Sequence, residues 1–298
     1  MNALKKSYFY AFIAALLWST VATAFKVSLR ELSPYQLLFL ASTVSFIAIT
    51  TIAIKNEGIE FLMKVFSKEA FLKNILLGAI NPFLYYFFLF KAYSILPASE
   101  ALALNYVWPI VLSVMSIVIL KQKFSFFSFV GLLIAFSGAL IVILKNDFTT
   151  LNLNNLNGAI YALSSSFFWS FFWILNLTDK RSVFEKLSGA FLIGALFSLA
   201  YLIFFDKINF SLFSISFFAA IYVGCFEMGI TFLIWLKALS LSNQNSRVAS
   251  IAYLSPFLSL VFISIILSET IKIYSIIGLT LILIGVVFQK IKSKREEK

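Results

Sequence analysis

A single carboxylate, Glu227, falls deep inside an apolar stretch of this chain. An acid buried in that setting is expensive, so it is a functional candidate by default. It can carry a proton that binds and leaves, or it can face a substrate ammonium directly. The plainer reading is a fixed hydrogen bond or ion pair that ties helices together. Gly224 and Gly229 leave room around the carboxylate, and Thr231 lies one helical turn along the same face. The chain has no histidine, so Glu227 is the one deep titratable group available to a relay. Glu100 and Lys91 lie nearer the edges of their stretches, either as an entrance-lining pair or as an ordinary loop salt bridge.

The second set of chemically suggestive residues is aromatic and amide. A helix surface that meets lipid is uniformly apolar, so polar residues recurring every three or four positions mark an inward face. Asn105, Trp108, Pro109, Leu112 and Ser116 share one such stripe. Ser165, Trp169, Trp173 and Asn176 form another, and Gly224, Glu227, Thr231 and Trp235 a third. Ser246, Ser250, Tyr253, Phe257 and Ser264 give the cleanest. Asn81, Tyr85 and Phe88 align, and Ala11, Ala15, Trp18 and Ala22 make a small-residue stripe. Small residues and serines also serve close helix packing, and a serine hydroxyl can bond its own preceding turn. Tryptophans can sit in the interfacial belt. Trp108, Trp169 and Trp173 instead fall well inside their stretches beside Asn or Ser, which suits an aromatic-walled cavity with a few placed polar groups.

Other chemistries find no residues. There is no paired buried acid and no Cys/His cluster for a metal. No Gly-x-x-x-x-Gly-Lys-Ser/Thr loop is present to cradle a nucleotide phosphate. No catalytic residue, cofactor or metal is expected, and a membrane-embedded enzyme is a distant alternative.

The elements that must position these residues are apolar helices. The 298-residue chain is 61% hydrophobic and 12% charged, too few polar residues to coat a soluble core. Stretches of about 20 apolar residues have the length of a bilayer span. Ten are expected, at 8–28, 34–54, 70–95, 99–120, 125–145, 157–177, 188–205, 213–238, 245–267 and 272–290. They are continuously apolar rather than alternating, which argues against a β-barrel. The fold class is an all-α integral membrane protein. The first stretch, preceded by Lys5 and Lys6, resembles a signal peptide. Its counterpart at 157–177 cannot be cleaved without cutting the chain in two, so a retained helix is expected. The single cysteine, Cys225, excludes an internal disulfide.

The chain repeats itself. Tyr106, Pro109, Gly131 and Gly138 return as Tyr253, Pro256, Gly278 and Gly285, all at an offset of 147 residues. Lys91-Ala92 returns as Lys237-Ala238 at 146, and Tyr10-Ala11 and Trp18-Ser19 return as Tyr161-Ala162 and Trp169-Ser170 at 151. Two five-helix repeats follow, 1–146 and 157–298, joined by an Asn- and Thr-rich linker at 147–156. Five is odd, so the second repeat enters the membrane from the opposite side, an inverted pair. With the N-terminus inside, 18 of the 24 basic residues fall on inner segments and 6 on outer ones. That bias places both termini in the cytoplasm. It also accounts for the net charge of +11 without a nucleic-acid partner. Pro109 and Pro256 are repeat mates, so a kink belongs to each half.

With these residues in view, the chain resembles ten-helix EamA-type members of the drug/metabolite transporter superfamily, over nearly its whole length. The resemblance rests on Leu17-Trp18-Ser19-Thr20 with Lys26, on Phe90-Lys91-Ala92-Tyr93, on Trp235-Leu236-Lys237-Ala238-Leu239, and on Gly278 with Gly285. Asn105-Tyr106-Val107-Trp108-Pro109 is similar to the corresponding motif of YddG-type aromatic amino acid exporters. Two features depart from the family pattern: 37–54 carries no arginine, and Lys121-Gln122-Lys123 stands where an acid often follows the fourth helix. The resemblance implies a basket of helices around a central cavity. It also implies a secondary transporter exporting a small metabolite, an amino acid, by alternating access. Export of drugs or other amphipathic compounds is the alternative.

The expected substrate path comprises Trp18, Asn81, Tyr85, Asn105, Trp108, Trp169, Trp173, Asn176, Glu227, Thr231, Ser250 and Tyr253, with Glu227 as coupling candidate. The expected partners are a small-molecule substrate, the lipid bilayer of the inner (cytoplasmic) cell membrane, and protons as coupling ion.

Overall fold

The computed structural model describes residues 3–121, 126–145, 153–206, 211–241, 248 and 251–296. Among these there is no strand. Seven helical runs are long and apolar enough to cross a membrane: Leu4–Ser28, Pro34–Glu57, Lys68–Ile95, Ala98–Ile119, Asn155–Asn176, Val183–Phe205 and Ile215–Ser240. Three shorter apolar helices, Phe129–Leu144, Ile251–Leu267 and Ile273–Phe288, fall on the fifth, ninth and tenth expected spans. Large apolar side chains stand fully outward, Phe204 at 76% and Ile265 at 72% exposure, as a lipid-facing surface requires.

The helices are α1 (Ala3–Ser28), α2 (Pro34–Glu57), α3 (Phe61–Val65), α4 (Lys68–Gly78), α5 (Tyr85–Ile95), α6 (Ala98–Asn105) and α7 (Trp108–Ile119). They continue as α8 (Phe126–Leu144), α9 (Leu153–Thr178), α10 (Val183–Phe205), α11 (Ile215–Tyr222), α12 (Ile230–Ser240), α13 (Leu254–Leu267) and α14 (Ile273–Glu296). Their starts are written in serine. Ser33 and Gln36 cap α2 reciprocally, at 3.3 and 2.8 Å, with Pro34 in the first turn. Ser67, Ser182 and Ser214 likewise accept from the third residue of α4, α10 and α11.

Three spans are broken in mid-course. The third passes through a π-helical segment, Ala79–Leu84, in which Asn81 is extended (φ −142°, ψ 119°). The fourth turns at Tyr106–Val107 between α6 and α7. The eighth passes through the π segment Val223–Glu227 before α12 restarts at Ile230. The ninth opens with a 3₁₀ turn, Ile251–Tyr253.

The described contacts fall into two compact units. One comprises residues 1–83 and 181–269, the other 84–180 and 270–298. Each draws on both sequence halves.

In the first unit the small-residue stripe of α1 is packing surface: Ala11, Ala15 and Ala22 are buried where α1 meets α12 and α13. Ser7 donates to the Ala238 carbonyl at 2.7 Å, and Tyr35 stacks on Tyr201 with centroids 3.7 Å apart.

In the second unit α8 and α14 meet glycine to glycine. A Cβ on Gly138 would stand 2.5 Å from the Gly278 carbonyl oxygen, and one on Gly285 2.5 Å from that of Gly131. Gly131 pairs with Gly285 and Gly138 with Gly278, so the two helices run antiparallel. These same four glycines are repeat mates. Equivalent helices therefore meet through a self-complementary surface, the contact a two-fold axis generates.

Candidate functional site

In the second unit the fourth-span break begins with Pro109. Proline has no N–H to offer the residue four before it, which is Asn105. The freed Asn105 carbonyl accepts instead from the Ser166 hydroxyl at 2.9 Å, and Ser170 donates to the Trp108 carbonyl at 2.8 Å. The Asn105 amide donates to Ser165 at 2.9 Å, while Ser165 bonds the Ala162 carbonyl. A serine ladder on α9 thus holds the bend open, and Trp108 follows directly from it.

Around that bend the aromatics gather on Trp169. Tyr85 stacks on it at 4.6 Å, Phe172 lies at 5.8 Å, and Trp173 and Trp108 present edges at 5.8 and 6.3 Å. Trp169 is 9% exposed and Tyr85 4%, so these two form the buried floor. Trp108, Trp173, Asn105 and Asn176 are half-buried around them. Five expected residues, Tyr85, Asn105, Trp108, Trp169 and Trp173, are therefore joined in one cluster, with Asn176 a turn further along α9.

In the first unit, Glu227 ends the π segment and is half-buried. The Met228 N–H reaches back five residues to the Val223 carbonyl at 3.2 Å, and Gly229 (φ −115°, ψ −96°) separates this from α12. Thr231 is fully buried. Trp18 is half-buried against Phe232 and Trp235, at 5.8 and 5.5 Å. Thr20 and the Tyr222 hydroxyl share a 2.7 Å hydrogen bond. Asn81 is 2% exposed and Tyr253 half-buried. Ser246 and Ser250 lie outside the described residues.

Three sequence-derived alignments need correction. The extended backbone at Asn81 removes it from helical spacing with Tyr85 and Phe88. The break at Met228–Gly229 likewise interrupts the Gly224–Thr231 stripe. On α13 the buried hydroxyls are Ser255 and Ser259, whereas Phe257 and Ser264 are exposed, because the helix starts in a new register after its 3₁₀ turn. Glu100 does not take Lys91: its carboxylate is held by Lys145 at 3.0 Å and by the Tyr274 hydroxyl at 2.8 Å. Two separate cavities are described. One, of about 460 Å³, is bordered by Lys64, Lys73, Arg181 and Glu185, and an apolar one, of about 220 Å³, is bordered by Val111 and Phe136. Neither is lined by an expected path residue.

The sequence profile of the EamA-like transporter family matches residues 5–144 and again residues 156–289. The chain belongs to the EamA-like transporter family. A curated relative from Acidianus ambivalens, named as an uncharacterized transporter in the sor 3' region, is 27% identical over 222 residues, 69% of this chain and 79% of its own. A solved structure described only as the crystal structure of a protein aligns over 99% of both chains, with a TM-score of 0.70 and 20% identity. That likeness shows the fold.

This EamA-like transporter is accordingly a multi-pass membrane protein. Its sequence reading missed Ser166 and Ser170, although their signal was present: a proline frees the carbonyl four residues before it, and some donor must answer. It also missed Ser42 and Ser45 on α2, both fully buried.

Proposed function

We propose that this transporter exports a small amphipathic metabolite, an amino acid with an apolar or aromatic side chain, as a secondary transporter working by alternating access. One observation carries the reading. The buried Trp169–Tyr85 floor is edged by half-buried Trp108, Trp173 and Asn105, which offers ring faces to an apolar side chain and an amide to a polar end. The motif similarity at Asn105–Pro109 supports the same substrate class. Glu227, at the break of the eighth span, is the candidate coupling group for protons. Both termini lie in the cytoplasm on the charge bias; a periplasmic reporter active after Lys298 contradicts that placement.

The test is counterflow of radiolabelled amino acids into proteoliposomes made from this chain alone, with amphipathic drugs as competitors. Uptake of an aromatic or branched amino acid is expected. Uptake of drugs alone favours their export instead. Trp108→Ala and Trp173→Ala should lower uptake more than they lower protein level. Trp169→Ala, which empties a packed site, should reduce stability by about 3–5 kcal/mol, read in thermal unfolding.

A further inference from the structure

The cavity of about 460 Å³ lies in the first unit, where the short helix α3 and the N-terminal ends of α4 and α10 come together. Its walls carry both signs of charge: Lys64, Lys73 and Arg181 against Glu60, Glu69 and Glu185. Among the described residues, neither lysine and none of the three glutamates holds an ion pair. Cations and carboxylates that line one cavity without pairing can take the two ends of a zwitterionic ligand.

Arg181 is fixed in place. Its Nη1 donates to Asn74 Oδ1 at 2.6 Å, and the Asn74 amide donates to the Val65 carbonyl at 2.9 Å. Asn74 is buried, and it lies so close to Gly189 that a side chain there would collide with it. A guanidinium held in this way has little freedom to lose when it meets an anion, and its planar fork matches phosphate. Ser67, which caps α4, lines the same cavity, and Ser182, next to Arg181, caps α10. Two helix N-termini therefore add positive potential. Glu69 and Glu185 stand in those first turns and offset part of it.

The cavity opens beside surface that suits lipid. On α4, Glu69 and Lys73 share a face with Leu72 and Leu76, which are 73% and 49% exposed. Met63, which also lines the cavity, is exposed, as are Ile59 and Phe66 on the same connection between spans. Charged groups at a span end with exposed apolar side chains next to them match the headgroup level of a bilayer and the acyl chains beneath it. On the charge bias this end of the spans faces the cytoplasmic leaflet. Three cations balance three carboxylates, so a headgroup that is only anionic leaves the glutamates unmatched. A phosphate with a primary ammonium matches both sets.

We infer that this cavity binds the headgroup of an aminophospholipid of the phosphatidylethanolamine type. Arg181, Lys64 and Lys73 take its phosphate, the glutamates take its ammonium, and its acyl chains run over Leu72 and Leu76. The inference is independent of what the protein transports, and its test requires no transport. Purified, delipidated protein in neutral detergent is titrated with phosphatidylethanolamine, and binding is followed by native mass spectrometry and by thermal unfolding. Saturable binding that raises the unfolding temperature is expected. Phosphatidylcholine, whose quaternary ammonium donates no hydrogen bond, and phosphatidylglycerol, which has no amine, should each bind more weakly. Free phosphoethanolamine lacks the acyl chains and should bind more weakly still. The double variant Lys64→Gln, Lys73→Gln should match wild-type stability in lipid-free detergent, since neither lysine has an ion pair to lose. It should bind phosphatidylethanolamine about tenfold more weakly. Undiminished binding by this variant means that the lysines are only solvated surface charges and overturns the inference. Phosphatidylglycerol binding as tightly as phosphatidylethanolamine marks a basic patch instead, and phosphoethanolamine binding as tightly as the lipid marks a site for a soluble phosphate. Either result also overturns it.

Discussion

The third and eighth spans break at equivalent places, and the two breaks have been filled in opposite ways. At the offset of 146 residues set by Lys91 and Lys237, Asn81 corresponds to Glu227, Pro82 to Met228 and Gly78 to Gly224. The frame around both is shared. A Cβ on Gly78 would meet the Ala190 carbonyl and Ile193, and one on Gly224 would meet the Ala41 carbonyl and Val44. These neighbours are themselves equivalent at an offset of 149. At that offset Gly194 corresponds to Ser45.

In the first break the Pro82 ring lies directly over Gly194, and Phe83 sets its edge against Phe197 at 5.7 Å. Asn81 keeps a buried polar side chain, but the space is full of carbon. In the second, Gly229 stands where the first has Phe83 and Ser45 where it has Gly194, and backbone carbonyls of the preceding turn crowd close to Gly229. Duplication preserved the close helix contact beside each break, while the side chains at the bend diverged into a proline-filled joint and a glycine-containing one.

The largest effect is expected at the packed joint. Gly194→Ala pushes a methyl group into the Pro82 ring and should reduce stability by about 1–3 kcal/mol, read as a lower unfolding temperature of the purified protein. A variant as stable as wild type means that the first break is loosely filled and the contrast is wrong. Gly229→Ala should reduce stability by about 1 kcal/mol. Its Cβ would stand 2.9 Å from the Cys225 carbonyl oxygen and 3.0 Å from that of Gly224, so the cost is steric, and it is read as a lower unfolding temperature. Ser45→Ala should have the smallest effect on folding, between no change and a gain of about 1 kcal/mol in thermal unfolding. It removes a hydroxyl whose burial is uncompensated.

Much of this was legible in the residues. Ten apolar stretches, the repeat offsets and the glycine pairs follow from hydropathy and spacing, since bilayer thickness fixes helix length and close crossings require glycine. Trp169 and Trp173 share a face because their stripe lies wholly within α9, whereas Trp108 joins them from beyond the Tyr106–Val107 turn, which interrupts its stripe with Asn105. The stripe logic failed at Asn81, across Met228–Gly229 and on α13, because it assumes an unbroken 3.6-residue period. Breaks such as these are set by which carbonyls find donors elsewhere in the fold. The partner of Glu100 was also out of reach: Lys145 and Tyr274 lie 45 and 174 residues away, and no local pattern joins them.

The most direct test of a functional second break is the response of Glu227→Gln to an imposed pH gradient. Glutamine keeps the shape and most of the hydrogen bonding but cannot change charge. In proteoliposomes, wild-type counterflow should accelerate when a gradient is applied. The variant should fold, continue to exchange substrate, and show no acceleration. A variant that follows the gradient as the wild type does, or a wild type indifferent to it, contradicts the assignment of coupling to Glu227.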